Sequence, residues 1–350
     1  MKLFGIFGKK PELESSTKET VKAAPFPAPQ NENEKKPQPM TGKKEASKPT
    51  IIIAEKNYDD RATRIIIPND VLDLGNGNPF FNYYDLSQII VSPDHPSYAV
   101  IDGILYEKKT RKLICCPRHH IMTECRIPNG ITSIGDSAFA CCSGIYSVII
   151  PDSVSSIGKK AFDACNNLNR IELGNGVQFI DDGVFHYTSL KSITLPNSVC
   201  KLGFHPFTGN NSLTEIVTAS DHPYYKTENG VLYEKATNKL VFYPCALTAQ
   251  KFQIPEGIKA IGDYAFYTNK HLTAITLPDS IESIGVCAFN SCKSLTSISI
   301  PARVNDIGGN AFSSFSPLTI TVVHGSYAEQ YCEQNNLSYT YNGANNWLLG

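Results

Sequence analysis

Long apolar runs are missing from this sequence. Nothing in its 350 residues approaches the ~18 consecutive apolar residues of a membrane-spanning helix. The apolar core of ~7–15 residues that a secretory signal needs is missing too. Leu3 to Gly8 is too short, and Pro11, Glu12 and Glu14 follow at once. Net charge is almost absent: 32 Lys and Arg stand against 33 Asp and Glu, which argues against a nucleic-acid binder with a basic footprint. Charged residues reach only 19%, below the ~25% of an ordinary soluble domain, while 41% hydrophobic residues leave ample material for a core. No glycine-rich phosphate loop follows any strand pattern. Nothing in the sequence calls for a cofactor.

The charge that is present sits unevenly. Residues 1–50 hold ten Lys, no Arg and six Glu, hence +4, leaving −5 for the other 300. With seven Pro and almost no apolar periodicity, such a stretch cannot bury enough surface to offset the entropy of ordering it. A disordered tail is expected over residues 1–60. Its Leu3, Phe4, Ile6 and Phe7, beside Lys9 and Lys10, offer at most a weak contact with a membrane surface.

The body is a repeat. Residues 151–162 read Pro-Asp-Ser-Val-Ser-Ser-Ile-Gly-Lys-Lys-Ala-Phe, and residues 278–289 read Pro-Asp-Ser-Ile-Glu-Ser-Ile-Gly-Val-Cys-Ala-Phe. With the first branched apolar residue as marker, eight units appear at Val71, Ile131, Val154, Val177, Val199, Ile258, Ile281 and Val304. Their spacings are 60, 23, 23, 22, 59, 23 and 23. The two long spacings are themselves copies, because Asp94-His95-Pro96 and Gly103–Lys108 recur 127 residues later as Asp221-His222-Pro223 and Gly230–Lys235. Each half of the body is therefore one inserted unit followed by short ones.

After each Phe comes Leu-x-x-Ile-x-Ile, whose last two apolar residues alternate with polar ones, as in a strand with one buried face. Pro then ends the strand, and the Ile-Gly step reads as a turn in which Gly takes a positive φ. One strand, two bends and a short return fit a coil of 22–23 residues. Such a coil cannot stabilise itself alone, so the units must stack. The inserts, about residues 92–126 and 219–253, read as hairpins across Lys108–Lys112 and Lys235–Lys239.

The pattern Ile-Gly-x-x-Ala-Phe-x-x-Cys-x-x-Leu-x-x-Ile-x-Ile-Pro, clearest at Ile157–Leu173 and Ile284–Pro301, resembles the BspA-type leucine-rich repeat. The resemblance spans roughly residues 64–341. Gly325–Cys332 is similar to that family's terminal helical cap, here placed at 324–341, with a short tail at 342–350. It implies a β-rich leucine-rich-repeat solenoid over 61–341, with a parallel sheet on one face, and a role in adhesion or host-protein binding at a cell surface.

Most candidate chemistry has a structural explanation. Phe139, Phe162, Phe185, Phe207, Phe266, Phe289 and Phe312 mark one slot of the repeat. Cys142, Cys165 and Cys292 mark another, three residues later, shared with Thr188, Asn210, Asn269 and, in the last copy, Phe315. These small side chains read as a buried ladder of free thiols, which leans towards a reducing, cytoplasmic location; a surface location is the alternative that the resemblance implies. Cys115, Cys116, His119, His120 and Cys125 lack the spacing of a zinc site. Shifted by 127 they include Phe242, Tyr243, Ala246 and Leu247, so the slots are for packing. Asp94-His95 and Asp221-His222 read as turn caps in which Asp bonds local backbone. The outward strand positions, Arg170, Glu172, Ser192, Thr194, Glu215, Val217, Thr276, Ser297 and Ser299, form a broad candidate face for a protein or glycan partner. The reading is a non-enzymatic interaction or adhesion module. A structural protein tethered through its tail is the alternative, with a hydrolase a distant third.

Overall fold

The computed structural model describes Thr50–Ile52, residues 61–312 and residues 318–343, all within one compact unit, Ser47–Gly350. The expected disordered tail (apart from Thr50–Ile52), the membrane-contact residues Leu3 to Lys10, Phe315 and residues 344–350 lie outside the described residues. The body is a parallel-sheet β-solenoid of about 12 turns with almost no helix. Eight template units underlie more turns than eight, because both inserts complete turns and strands at either end lack the template.

Each turn presents a front strand of three or four residues. Ser147–Ile149 pairs in parallel with Arg170–Glu172, Ser192–Leu195 with Glu215–Thr218, and Ala274–Thr276 with Ser297–Ser299. In each, the central Val or Ile is buried and its flanking residues face outward, the alternation expected of a half-buried strand. The front ladder begins as early as Thr50–Ile52, which pairs with Arg64–Ile67 inside the segment assigned to the tail.

The return holds a second sheet. Ser133–Ile134, Ser156–Ile157, Phe179–Ile180 and Lys201–Leu202 are two-residue strands in one parallel ladder, and Ala260–Ile261, Ser283–Ile284 and Asp306–Ile307 continue it in the second half. The glycine that follows does not take a positive φ at 135, 158, 285 or 308, contrary to the expected turn. It is there because the previous turn is too close. A Cβ on Gly308 would lie 2.4 Å from the backbone nitrogen of Val286, and one on Gly285 would lie 2.5 Å from that of Asp263. The left-handed residues sit elsewhere: Ser137, Lys160, Tyr264 and Cys287 before the Ala-Phe pair, and Cys141, Ala164, Thr268 and Ser291 after it, all with φ between 53° and 62°. Such values are uncommon outside glycine. Here they turn successive N–H groups towards the next turn, so that Phe139 N–H donates to the Ala161 carbonyl at 2.8 Å and Phe162 N–H to the Val184 carbonyl at 2.9 Å.

The phenylalanines stack along this third edge. Ring centroids are 4.9 Å apart for Phe139 and Phe162, 5.8 Å for Phe162 and Phe185, and 5.3 Å for Phe289 and Phe312. Where the second insert interrupts the stack, Phe242 meets Phe207 and Tyr243 meets Phe266. Each insert is more than a hairpin. Tyr98–Ile101, Ile104–Glu107 and Lys112–Cys115 form an antiparallel meander, and its last strand pairs in parallel with Ser133–Ile134 as the back strand of its turn. Tyr225–Glu228, Val231–Glu234 and Lys239–Phe242 repeat the arrangement. The buried core falls into three clusters that divide at these inserts. At the far end, helix Tyr327–Gln334 is capped by Ser326, whose hydroxyl accepts from Glu329 N–H, and Tyr331 donates to the Gly308 carbonyl. The returning Glu329 carboxylate accepts from Gly325 N–H at 2.6 Å, which closes the helix start against fraying.

Two adjacent glycines make opposite predictions. Gly308→Ala forces a Cβ into backbone and should cost ~1–3 kcal/mol. Gly309→Ala meets nothing within 4 Å and should be neutral or slightly stabilising. Thermal unfolding of the two variants side by side checks the difference.

Candidate functional site

The front strands carry all nine of the proposed outward side chains, and all nine are exposed. They stand in register: Ser192 beside Glu215, Thr194 beside Val217, and Thr276 beside Ser299. Arg170 and Glu172, two apart on one strand, pair with each other, and Arg126 pairs with Glu124 at 2.6 Å on a nearby strand. Exposed pairs of this kind contribute little to stability, ~0–1 kcal/mol, and leave the face close to neutral. The face is built from three separately bonded sheets, with breaks between Arg170–Glu172 and Ser192–Leu195 and again at the second insert.

The recurring Asp-His pairs work through histidine, contrary to the expected aspartate cap. His95 and His222 are fully buried. His222 Nδ1 accepts from the N–H groups of Tyr224 and Tyr225, both at 3.2 Å, and its Nε2 lies 3.1 Å from the Pro196 carbonyl one turn earlier. His95 makes the same three contacts with Ser97, Tyr98 and Pro68. The rings must therefore carry their proton on Nε2, and every nitrogen is occupied by backbone. Lys108 and Lys235 donate to the carbonyls of His95 and His222 at 2.7 and 2.6 Å. Asp94 and Asp221 are exposed.

The cysteine slot has a defined partner. Cys165 donates to the Phe139 carbonyl at 2.9 Å and Cys292 to the Phe266 carbonyl at 3.0 Å, one turn back in each case. Asn210 uses its amide in the same way on the Phe185 carbonyl at 2.6 Å. Cys142 follows an insert and finds the carbonyls of Cys116 and Pro117 instead. All eleven cysteines are free thiols. Burial raises the pKa of Cys125 and Cys292 to about 12, so these sulfurs are poor nucleophiles.

Of the soft-ligand cluster, Cys115, Cys116 and Cys125 are buried while His119 is exposed. His120 is held by backbone, its Nε2 at 2.8 Å from the Asp102 carbonyl and its Nδ1 accepting from Met122 N–H. Cys116 occupies the same edge slot as Tyr243: each donates its N–H to the alanine before the next Phe, Ala138 and Ala265. Among the described residues no group of three or more His, Cys, Asp or Glu could hold a metal ion.

A histidine pair went unread in the sequence. His186 and His205, on adjoining turns, stack with centroids 4.4 Å apart, and His186 Nε2 contacts both the ring and the carbonyl of His205. Burial lowers the pKa of His186 to about 4, helped by the neighbouring His205, and burial lowers that of His205 as well. His186 Nδ1 stands 4.0 Å from Asp163, but a neutral imidazole makes no ion pair there. Extending the repeat register to the slots flanking Phe185 and Phe207 is the signal that would have paired them.

The model of the BspA type leucine rich repeat region matches in 6 copies over residues 116–227 and 235–341. The chain belongs to this family. The gap between the two matched stretches falls inside the second insert of this BspA-type protein. Among solved structures, a leucine-rich repeat protein from Eubacterium ventriosum is 27% identical over 66% of this chain and 71% of that one, with a TM-score of 0.55. A leucine rich cell surface protein from Faecalibacterium prausnitzii shares 23% identity over 81% and 79% of the two chains, also at 0.55. The pneumococcal vaccine antigen PcpA shares 20% over 75% of this chain and 62% of that one, at 0.51; both of these likenesses concern the fold alone. The chain thus spans less than two thirds of that antigen chain. No curated protein matches the chain. BspA-type repeats suggest modules for protein interaction or surface adhesion, are generally non-enzymatic, and are often surface-associated. Among the described residues no helix is long and apolar enough to cross a membrane.

Removing the His222 ring leaves two N–H groups without their acceptor. His222→Ala should therefore cost ~2–5 kcal/mol in urea unfolding, against less than ~1 kcal/mol for the exposed Asp221→Ala. His186, His205 and His222 all have pKa values lowered by burial, so the unfolded chain takes up protons first as the pH falls. Stability should decline from near the ordinary histidine value of ~6.5 down to about 4, where His186 titrates in the fold, and this component should be flat below that. Unfolding midpoints across pH 4 to 7 read this directly, and the slope should shrink in His186→Phe.

Proposed function

We propose that the protein is a non-enzymatic interaction or adhesion module that binds protein or glycan partners through its front face. The observation that carries this reading is the exposure of Arg170, Glu172, Ser192, Thr194, Glu215, Val217, Thr276, Ser297 and Ser299 on five front strands, three before the second insert and two after it. A side chain on such a strand is held by the ladder below it, so many weak contacts add without much ordering entropy at binding. The paired charges and the hydroxyls give a nearly neutral, hydrogen-bonding surface rather than an electrostatic one. His95, His120, His222, Cys142, Cys165 and Cys292, which would otherwise invite an enzymatic reading, spend their polar atoms on backbone. Family membership supports the same class. The eleven free thiols favour a reducing, cytoplasmic location, against the surface association common in the family.

The test is binding of the full chain to a panel of immobilised serum and matrix proteins and to a glycan array. It should be run beside Ser192→Arg/Thr194→Arg and Thr276→Arg/Ser299→Arg double variants. Binding that drops about tenfold or more in either variant, and survives deletion of residues 1–50, is the expected result. Binding that ignores both variants and disappears with residues 1–50 would sink the front-face reading and favour tethering through the tail.

A further inference from the structure

The back sheet holds a groove of about 440 Å³ in the first half of the solenoid. On its floor stand Gly135, Gly158 and Gly203, which carry no side chain because the preceding turn lies too close. One wall is a ladder in strict register, Lys112 beside Ser133, then Ser156, Phe179 and Lys201. The other wall carries Asp136, Asp181 and Asp182. The channel runs along the solenoid, across the strands.

Phe179 is the residue the fold does not explain. Its slot holds Ser133, Ser156, Lys201, Ala260, Ser283 and Asp306 in other turns, none of them aromatic, and the ring remains 45% exposed. Two carboxylates that line the groove are half committed. Asp136 accepts Lys159 N–H through Oδ1 at 2.9 Å, and Asp181 accepts Asp182 N–H through Oδ1 at 2.8 Å. Among the described residues neither Oδ2 enters a hydrogen bond or ion pair. Asp182 is spent on the Phe204 N–H and on Lys159.

We infer that this back groove binds an uncharged linear oligosaccharide, with Phe179 stacking on a sugar ring and Asp136 and Asp181 accepting from its hydroxyls. The lining mixes two lysines with three aspartates, a poor match to a polyanion or to a basic segment. It lacks side-chain pockets of the kind that read an extended peptide, since the floor is backbone. Neighbouring rungs are ~4.8 Å apart, close to the length of one sugar residue in an extended chain, so successive rungs meet successive residues. The serine hydroxyls and the two lysines supply donors along one side. This site lies on a different sheet from the front face and does not rest on the front-face reading.

The experiment titrates the full chain with cello-, chito-, manno- and xylo-oligosaccharides of four to six units, by calorimetry and ligand-observed NMR. At least one series should bind. Phe179→Ser, which places there the residue found at that slot in the two preceding turns and so should keep the fold, should weaken it about tenfold or more. Ser156→Arg should block the channel with Phe179 intact, and Ser192→Arg/Thr194→Arg should bind as the wild type does. The inference is overturned if no series binds at millimolar concentration, if Phe179→Ser binds as well as wild type, or if binding follows the front-face substitutions instead.

Discussion

Each turn of this solenoid leaves its backbone groups for the next turn to complete. The front strand, the back strand and the phenylalanine edge all donate across the stack, so three ladders tie turn to turn, interrupted at the second insert and, on the front, also between Arg170–Glu172 and Ser192–Leu195. The turn-to-turn distance that these ladders impose decides much of the sequence. It removes the side chain at the residue after most back strands, which is glycine at 135, 158, 203, 262, 285 and 308 and Asp181 in one turn. It selects a slot partner, thiol or amide, able to reach the phenylalanine carbonyl one turn back. It also holds non-glycine residues in the left-handed region on both sides of the stacked rings, a local cost offset by the hydrogen bonds they aim. Outward positions carry none of these duties, which is why they vary from Arg to Val while the inward ones hardly change.

The inserts solve a problem of continuity. A long excursion would open the core, and each is closed by the same three devices. A buried histidine ties the start of the meander to the proline carbonyl one turn earlier, a lysine fastens the hairpin to that histidine's carbonyl, and the last strand rejoins the back ladder. In the edge slot, Tyr243 continues the ring stack where Cys116 merely fills space. The two halves are thus equivalent in backbone and unequal in side-chain packing.

The repeat, the front strands, the phenylalanine and cysteine slots and the positions of the inserts were legible in the sequence, because each depends on residue type at a fixed spacing. The back strands were not, since two residues are too few to show an alternation. Glycine's role was misassigned because sequence records that a side chain is missing, not whether conformation or crowding removed it. The Asp-His repeat pointed to the right place and the wrong residue: aspartate caps turns commonly, and a histidine buried against three backbone groups leaves no mark in one sequence. His186 with His205, and Phe179 with Asp181, are brought together by stacking, so only the register extended to every slot reveals them. The nine front positions were legible as outward residues; what they meet is not written in their pattern.

Each meander ends in a back strand onto which the next back strand docks, and the second half begins at a break in that ladder, since Lys201–Leu202 and Tyr225–Glu228 are edges of separate sheets. A half therefore closes its own back sheet before the next begins. A segment of 127 residues, the offset between the two Asp-His-Pro copies, is in this sense a cassette. Copies could be added or lost between the first insert and the cap without cutting a sheet, because the sheets are already interrupted at that junction. The length of the molecule, and with it the reach of whatever it presents, is then open to change by whole-cassette steps without any redesign of the turns between.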